Sequence, residues 1–365
     1  MFQPDGCPGR DDQLYLQRGL SAADFSYYSV NILGASYKPD YKRLYENKIT
    51  MNFTPSQFNG KRYNAYNRYL KSKYGERIQK VTVDAGFTCP NRDGTVARGG
   101  CIYCNNQSFN PGYNDAAKSI RRQIAEGMEF LKRRYHVNKY IVYFQPYSNT
   151  YAPLDHLKRL YEEALSVPGV IGLTIGTRPD CIDGEKLRYL SELAKEYDIT
   201  IEYGLESIYD DSLIKINRGH DYQSYLNALD MTRGLGIKIC THIILGFPWE
   251  TPAHWLHEAE ILSTLDFHFL KIHQLHIVKK TVMASQYKTK PFELLSLSGY
   301  VKTVADFLEK LNPSIIIQRL AGEAPPHMLI APKWGKRVPE IIRFIDKELE
   351  SRDSWQGKYH IDNIR

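Results

Sequence analysis

The sequence predicts an α/β protein built as a partial TIM barrel of about six βα units. Two observations carry this prediction. Short apolar runs recur along the chain, and a segment with helical periodicity separates each run from the next. Strands that alternate with helices form parallel sheets through right-handed crossovers. The predicted strands are the run before Cys89 and residues 139–144, 170–175, 200–203, 237–245 and 269–275.

Two further regions are expected to flank the barrel, which we place at residues 51–285. Residues 1–50 have patches rich in Asp, Gly, Pro and Tyr without sustained periodicity, so we expect a weakly ordered N-terminal extension. Residues 286–365 are predicted to form a small C-terminal extension beside the mouth of the barrel. It includes a helix at 300–311 and a strand at 314–318.

The composition constrains the compartment and the partners. The chain has 48 Lys and Arg against 41 Asp and Glu, a net charge of +7, which permits an anionic partner without requiring one. It has no apolar run long enough to span a membrane, and its first residues lack the apolar core of a signal peptide. We therefore expect a cytoplasmic protein. Six cysteines dispersed over 365 residues then indicate metal binding or buried thiols, because disulfides are rare in that compartment.

Three of the six cysteines, Cys89, Cys101 and Cys104, lie in one glycine-rich loop after the first predicted strand. Such a loop can fold three thiolates around one soft metal centre. A structural zinc site normally has four ligands, and the next histidine along the chain is His136. A four-iron cluster held by three cysteines keeps one iron open to a small molecule. We favour the cluster, and the alternative is a zinc-stabilised RNA-binding protein.

Residues 61–80 combine seven basic residues with four tyrosines. Basic charge interleaved with aromatic rings can bind single-stranded nucleic acid. The same pattern is typical of an amphipathic helix whose tyrosines pack on the barrel while its lysines face water. We favour the packing interpretation, and RNA binding stays open.

Polar and glycine-rich segments follow the predicted strands where these end. In parallel α/β folds the chemistry collects on the loops at the carboxyl ends of the strands. The residues in these positions are Gln145, Pro146 and Tyr147 after strand two, 176–180 after strand three, 204–207 after strand four, 246–248 after strand five and His276 after strand six.

Several segments together resemble one enzyme family. They are 86–94 (GFTCPNRDG), 99–104 (GGCIYC), 176–181 (GTRPDC), 216–220 (INRGH) and 275–279 (LHIVK). The chain resembles the radical S-adenosylmethionine (SAM) enzymes, and more closely their YhcC-like branch, which is related to the Elongator catalytic subunit. The resemblance covers residues 60–335. Most members space their cysteines as C-x3-C-x2-C, whereas eleven residues separate Cys89 from Cys101 here, a wide spacing that resembles the YhcC-like branch.

The resemblance implies a [4Fe–4S] cluster on the three loop cysteines, with SAM chelated at the open iron. Reduction of the cluster would cleave SAM and release a 5′-deoxyadenosyl radical that abstracts hydrogen from a substrate. An external electron donor of the flavodoxin or ferredoxin type is implied as well. The substrate is not identified by the sequence, although relatives of the Elongator type act on transfer RNA.

The resemblance also assigns residues to SAM. Tyr103 corresponds to the residue that packs on adenine, Glu206 to the position that contacts the ribose, and Arg218 to the basic residue that pairs with the methionine carboxylate. Gly246 and Pro248 correspond to the turn that borders the adenine.

The substrate side is less marked in the sequence. The Gly-Gly-Glu segment usual after strand two is absent, and Gln145, Pro146 and Ser148 stand there instead. His276 and Lys279, after strand six, are the candidate catalytic residues.

Overall fold

The computed structural model describes residue Phe58 and the ranges 60–108 and 113–360. The predicted N-terminal extension at 1–50, with Cys7, lies outside these residues. Within the described ranges, no helix is both long and apolar enough to cross a membrane.

Seven strands form one sheet, and every neighbouring pair in it is parallel. The strand order is β1-β2-β3-β4-β5-β6-β8, so the sheet is a half-barrel with β1 and β8 at its edges. The predicted partial barrel is confirmed, with one strand more than the six counted from the sequence. The bounds are β1 Gln79–Val83, β2 Tyr140–Phe144, β3 Val170–Thr177, β4 Asp198–Glu206, β5 Lys238–Leu245, β6 Phe269–Gln274, β7 Ile277–Val278, β8 Ile316–Arg319 and β9 Leu329–Ala331.

The strands inside the sheet are largely buried, because the barrel interior covers one face and helices cover the other. All positions of β2 and β4 are buried. Strands covered on both faces appear in sequence as continuous apolar runs, which is the pattern that predicted them. The helices are α1 Tyr66–Tyr74, α2 Pro90–Asp93, α3 Ile120–Tyr135, α4 Leu154–Leu165, α5 Gly184–Ala194, α6 Asp210–Lys215, α7 Tyr222–Thr232, α8 Pro252–Ser263, α9 Val282–Thr289, α10 Leu297–Lys310 and α11 Val338–Ser351.

The seventh strand comes from the range predicted as the C-terminal extension. Strand β8 pairs with β6 through Ile316 opposite Phe269 and Ile317 opposite Leu270. Helix α10 packs on α8 and on α11, and the short strands β7 and β9 form a separate antiparallel pair. The sequence predicted this strand but not its place, because a short run of isoleucines does not show which sheet it joins.

Helix α1 packs across the amino-terminal end of the barrel. Its Leu70 forms an apolar cluster with Ile78 and Ile141. The ring of Tyr66 lies 5.0 Å from the ring of Phe269, the first residue of β6, in an edge-to-face arrangement. Tyr66 therefore packs on the barrel, as the packing interpretation of residues 61–80 predicts.

Most basic residues of this segment also have partners within the protein. Lys61 pairs with Asp346, Arg62 with Asp353 and Lys73 with Asp198, while Arg77 and Lys80 lie over the rings of Tyr135 and Tyr143. Arg68, Lys71, Lys73 and Arg77 are exposed. Of these four, Arg68 and Lys71 take no part in the contacts above, so they are the side chains of this segment best placed to meet RNA.

Candidate functional site

The three loop cysteines line one cavity at the carboxyl ends of the strands, and each is a free thiol. Cys89 has extended backbone and precedes α2, which ends at Gly94 in the left-handed region. Gly100 has a positive φ of 78°. A Cβ atom there would lie 2.8 Å from the Arg92 side chain, so this turn needs glycine to bring the other two cysteines back toward Cys89.

The segment after α6 fixes the position of the cysteine loop. The backbone N–H of Ile102 donates to the carbonyl of Ile216 at 2.9 Å. The side-chain amide of Asn217 donates to the carbonyl of Gly100 at 2.8 Å. These contacts tie the loop to the region that carries Arg218.

Hydrogen-bond donors lie beside the sulfurs of the loop, and the Arg92 guanidinium lies beside Cys104. The Ser148 hydroxyl lies 3.3 Å from Cys89 Sγ. The Asn91 amide nitrogen lies 3.3 Å from Cys101 Sγ, and the Arg218 guanidinium lies 3.5 Å from the same sulfur. Such contacts stabilise a thiolate, the form in which cysteine binds metal.

Burial raises the pKa of the Cys104 thiol to about 12, and burial raises the pKa of Cys89 as well. A free thiol with such a pKa is protonated at neutral pH. A metal centre deprotonates the thiols that coordinate it, so three cysteines on one loop, with Cys101 buried and the other two half-buried, fit a resident metal group.

Among the described residues, no group of three or more His, Cys, Asp and Glu side chains is arranged to hold a single metal ion.

Glu206 and Arg218, two of the residues assigned to SAM, are buried in the wall of the same cavity, with 3.6 Å between their charged groups. Burial alone would raise the pKa of Glu206, but His242 and then Arg218 outweigh it and lower the pKa to about 2. The carboxylate is therefore ionised at neutral pH. Glu206 also has a φ of 76°, which is strained for a residue with a side chain.

The structure brings together only part of the predicted SAM set. Tyr103 lines the cavity, and its ring lies 6.3 Å from the ring of Phe247. Gly246 follows β5 with a φ of 100°. Pro248 is exposed and lines a different cavity, together with Trp249.

The two predicted catalytic residues are also separated. His276 lines the cysteine cavity, where burial lowers its pKa to about 4. Its Nε2 lies 2.9 Å from the side-chain amide of Gln274. Lys279 is exposed and lines a different cavity, next to Lys280.

A polar network deeper in the same cavity was missed by the sequence analysis. Lys271 Nζ lies 2.5 Å from Glu202 Oε1 and 2.8 Å from the Tyr143 hydroxyl, which donates to Glu202 Oε1 at 2.6 Å. Burial raises the pKa of Glu202, but the charges of Lys271 and Lys80 outweigh it and lower the pKa to about 2. The available signal was a charged residue inside an apolar strand, as at positions 202 and 271.

Within the part of the chain that the structure describes, four buried polar atoms around this cavity have no hydrogen-bond partner. They are Glu202 Oε2, Glu206 Oε2, Arg218 Nε and His242 Nε2. His242 Nδ1 lies 3.1 Å from Glu206 Oε2, but without hydrogen-bond geometry. Buried polar atoms without partners are costly, so they indicate a polar ligand. A cofactor with a carboxylate and ribose hydroxyls fits this set.

The comparisons with known proteins identify the family. Residues 91–262 match the radical SAM superfamily, and residues 267–351 match the Radical_SAM C-terminal domain. The protein YtqA of Bacillus subtilis is 38% identical over 303 residues, which cover 82% of this chain and 93% of YtqA. The protein YhcC of Escherichia coli is 35% identical over 289 residues, covering 78% of this chain and 92% of YhcC.

A solved structure shows the same fold. The archaeal Elp3 of Methanocaldococcus infernus, with its N-terminus deleted, superposes with a TM-score of 0.60 at 14% identity and covers 76% of this chain. This chain spans 64% of that Elp3 chain.

Two adjoining family matches and two relatives that this chain spans almost completely support one conclusion. The chain belongs to the radical SAM superfamily, enzymes that use a [4Fe–4S] cluster and SAM.

Proposed function

We propose that this chain cleaves SAM reductively at a [4Fe–4S] cluster held by Cys89, Cys101 and Cys104. The 5′-deoxyadenosyl radical so formed then abstracts hydrogen from a substrate at the barrel. One observation carries the proposal: the three cysteines share a cavity with Glu206 and Arg218, which have buried polar atoms without hydrogen-bond partners.

When bound, the cluster would supply the electron that breaks a carbon–sulfur bond of SAM, which yields methionine and the 5′-deoxyadenosyl radical. A flavodoxin- or ferredoxin-like protein would deliver that electron. The protein residues hold the cofactor. Arg218 suits the methionine carboxylate, because a guanidinium can donate two parallel hydrogen bonds and Nε is free to donate. Glu206 Oε2, which faces His242 Nδ1 at 3.1 Å, can also accept from a ribose hydroxyl.

The adenine would lie against the aromatic and glycine side of the cavity. The Tyr103 ring provides an apolar face next to Phe247. Gly246 follows β5 without a side chain, so its backbone can border a flat base. We assign Pro248 to the outer side of that turn.

Deeper residues form the substrate side. Glu202 precedes Glu206 by four positions along β4, so its carboxylate lies farther from the carboxyl end of that strand. Glu202 Oε2 is buried and free to accept from an N–H or O–H group. His276 is neutral at neutral pH and can donate or accept. We keep His276 as the substrate-side candidate and place Lys279 outside the cavity.

Reconstitution tests the proposal. Protein reconstituted anaerobically with iron and sulfide should be brown, should hold about four irons per chain, and should form 5′-deoxyadenosine from SAM after reduction with dithionite. A colourless protein with one tightly bound zinc would contradict the proposal. A fully assembled cluster that never cleaves SAM would contradict its catalytic part.

We also propose transfer RNA as the substrate, on the resemblance to the Elongator catalytic subunit and the net charge of +7. The test is a salt-sensitive gel shift with bulk transfer RNA, weakened by Arg68→Glu with Lys71→Glu, because both residues are exposed on α1. Lys73 is unsuitable, since it pairs with the buried Asp198.

The matched control for this gel shift is Arg188→Glu on α5 with Lys195→Glu directly after it, two exposed residues whose substitution makes the same change of charge. If both pairs of substitutions weaken the binding of transfer RNA equally, the attraction is non-specific. No binding at low salt would rule out the RNA substrate.

A further inference from the structure

We propose that Asn91 and Arg218 set the reduction potential of the cluster through Cys101. The inference rests on the proposed function, since it assigns the cluster to the three loop cysteines. Cys101 Sγ has two nitrogen donors, one of them cationic, whereas the donor at Cys89 Sγ is the neutral hydroxyl of Ser148. Cys104 has one cationic neighbour, Arg92, whose guanidinium also donates to the Cys104 carbonyl at 3.0 Å.

The orientation of the Asn91 amide is fixed by its neighbours. Its nitrogen lies 3.2 Å from the carbonyl oxygen of Asn217 and 3.4 Å from that of Arg218. Carbonyl oxygens only accept hydrogen bonds, so the NH₂ group of the amide must face this side. The atom 3.3 Å from Cys101 Sγ is therefore a donor.

Packing prevents this donor from turning away. Asn91 is 1% exposed and lies in α2. A Cβ atom at Gly219 would lie 3.3 Å from the Asn91 Cβ, and Gly219 has a φ of 76°, so a glycine allows the segment after α6 to close on α2. A buried side chain held on both sides gives a donor of fixed geometry.

The Arg218 guanidinium adds a charge to the same sulfur. It is 7% exposed, donates to the carbonyl of Gly204 and lies 3.6 Å from Glu206. A donor to a cluster sulfur stabilises the reduced cluster more than the oxidised one, because reduction increases the negative charge on sulfur. Both residues therefore raise the potential, and they make reduction by the external donor easier.

The test compares midpoint potentials by redox titration without SAM. Asn91→Leu keeps the branching of the side chain and removes the donor, so the potential of this variant should fall below that of the wild type at equal iron content. Arg218→Met should lower it further, because it also removes a charge. The resonance Raman Fe–S(Cys) bands should become less sensitive to D₂O in both variants.

Asn217→Gly is the matched control. Its side chain holds the cysteine loop through Gly100 but touches no sulfur, and its φ of 54° suits glycine. The potential of Asn217→Gly should equal that of the wild type even if its melting temperature falls. An equal fall in Asn217→Gly and Asn91→Leu would assign the effect to loop position and overturn the inference.

Unchanged potentials in both Asn91→Leu and Arg218→Met, with full iron content, would also overturn it. If Asn91→Leu does not hold iron, Arg218→Met decides alone, because it leaves α2 intact. A wild-type protein that assembles no cluster contradicts the proposed function itself. That outcome differs from a cluster that assembles but whose potential does not depend on Asn91 and Arg218.

Discussion

Two walls of one cavity are built differently. The cofactor wall consists of Cys89, Cys101, Cys104, Glu206 and Arg218, which lie in loops or at a strand end. The interior wall consists of Tyr143, Glu202 and Lys271, which lie inside β2, β4 and β6. Backbone hydrogen bonds of the sheet hold the interior wall, whereas the cofactor wall depends on contacts between loops.

The charges of the two walls are balanced to different degrees. In the interior wall the Lys271 ammonium lies 2.5 Å from Glu202. In the cofactor wall the opposite charges of Arg218 and Glu206 are 3.6 Å apart. Each wall keeps one carboxylate oxygen without a hydrogen-bond partner, Glu202 Oε2 and Glu206 Oε2. The walls therefore differ in how closely their charges pair: the interior pair is in direct contact, whereas the cofactor pair leaves room for a polar ligand. Changes in the first should alter stability, and changes in the second should alter cofactor binding.

The largest expected effect concerns the cysteines of the cofactor wall. Changing Cys89, Cys101 or Cys104 to Ala should remove the cluster, because each thiolate holds a different iron. Iron content and the visible spectrum measure this. Cys181→Ala and Cys240→Ala are the controls, and both should keep their iron. Iron loss confined to these controls would mean that the ligands are assigned wrongly.

The next effect concerns the interior wall. Lys271→Met leaves the Glu202 carboxylate buried without its ion-pair partner, which should lower the free energy of unfolding by about 3–5 kcal/mol. Urea unfolding measures it. Combining Lys271→Met with Glu202→Leu should restore most of the lost free energy of unfolding.

Lys195→Met controls for removing a lysine, since the Lys195 side chain is 69% exposed in its ion pair. Its unfolding curve should match that of the wild type. Equal curves for Lys271→Met and Lys195→Met would refute the idea that the interior network is preformed.

Arg218→Ala should weaken SAM binding by about 2–3 kcal/mol, roughly 30- to 150-fold, because a buried carboxylate would lose a charge-assisted partner. The iron content and the melting temperature should stay near those of the wild type. Arg218→Lys should recover part of the affinity, since an ammonium cannot donate in the same bidentate way. Isothermal titration of the reconstituted protein measures this. An Arg218→Ala protein with a low melting temperature and a low iron content would show that Arg218 stabilises the fold.

The smallest effect is a pH dependence of the interior wall. The pKa of Glu202 is about 2 in the folded chain and about 4.3 in an unfolded one. Its contribution to stability is therefore present above about pH 4.3 and is lost as the pH falls through the folded pKa. Glu202→Gln should flatten the stability curve between these values. An identical acid slope in the variant would show that other groups dominate.

The sequence predicted the cofactor wall better than the interior wall for a physical reason. Cys89, Cys101 and Cys104 lie within one loop, so their spacing along the chain already shows that they meet. Tyr143, Glu202 and Lys271 meet only when the sheet forms, since 59 residues separate the first two and 69 the last two.

The fold shows the same limit. The alternation of strands and helices predicted the barrel, because each element has a local period. The pairing of β8 with β6 depends on contacts between distant parts of the chain, which the hydrophobic periodicity within one element does not predict. Likewise, the position of Lys279 outside the cavity depends on the turn after β7, which the sequence did not define.

The most direct test of the central claim is the electron paramagnetic resonance spectrum of the dithionite-reduced protein, recorded with and without SAM. The claim is that three cysteines hold a four-iron cluster with one iron open to SAM. We predict a signal of a reduced [4Fe–4S] cluster that changes shape when SAM is added, and that loses this response in Arg218→Ala at matched SAM concentration. A cluster signal that SAM leaves unchanged in the wild-type protein, or the absence of any iron–sulfur signal, would contradict the claim.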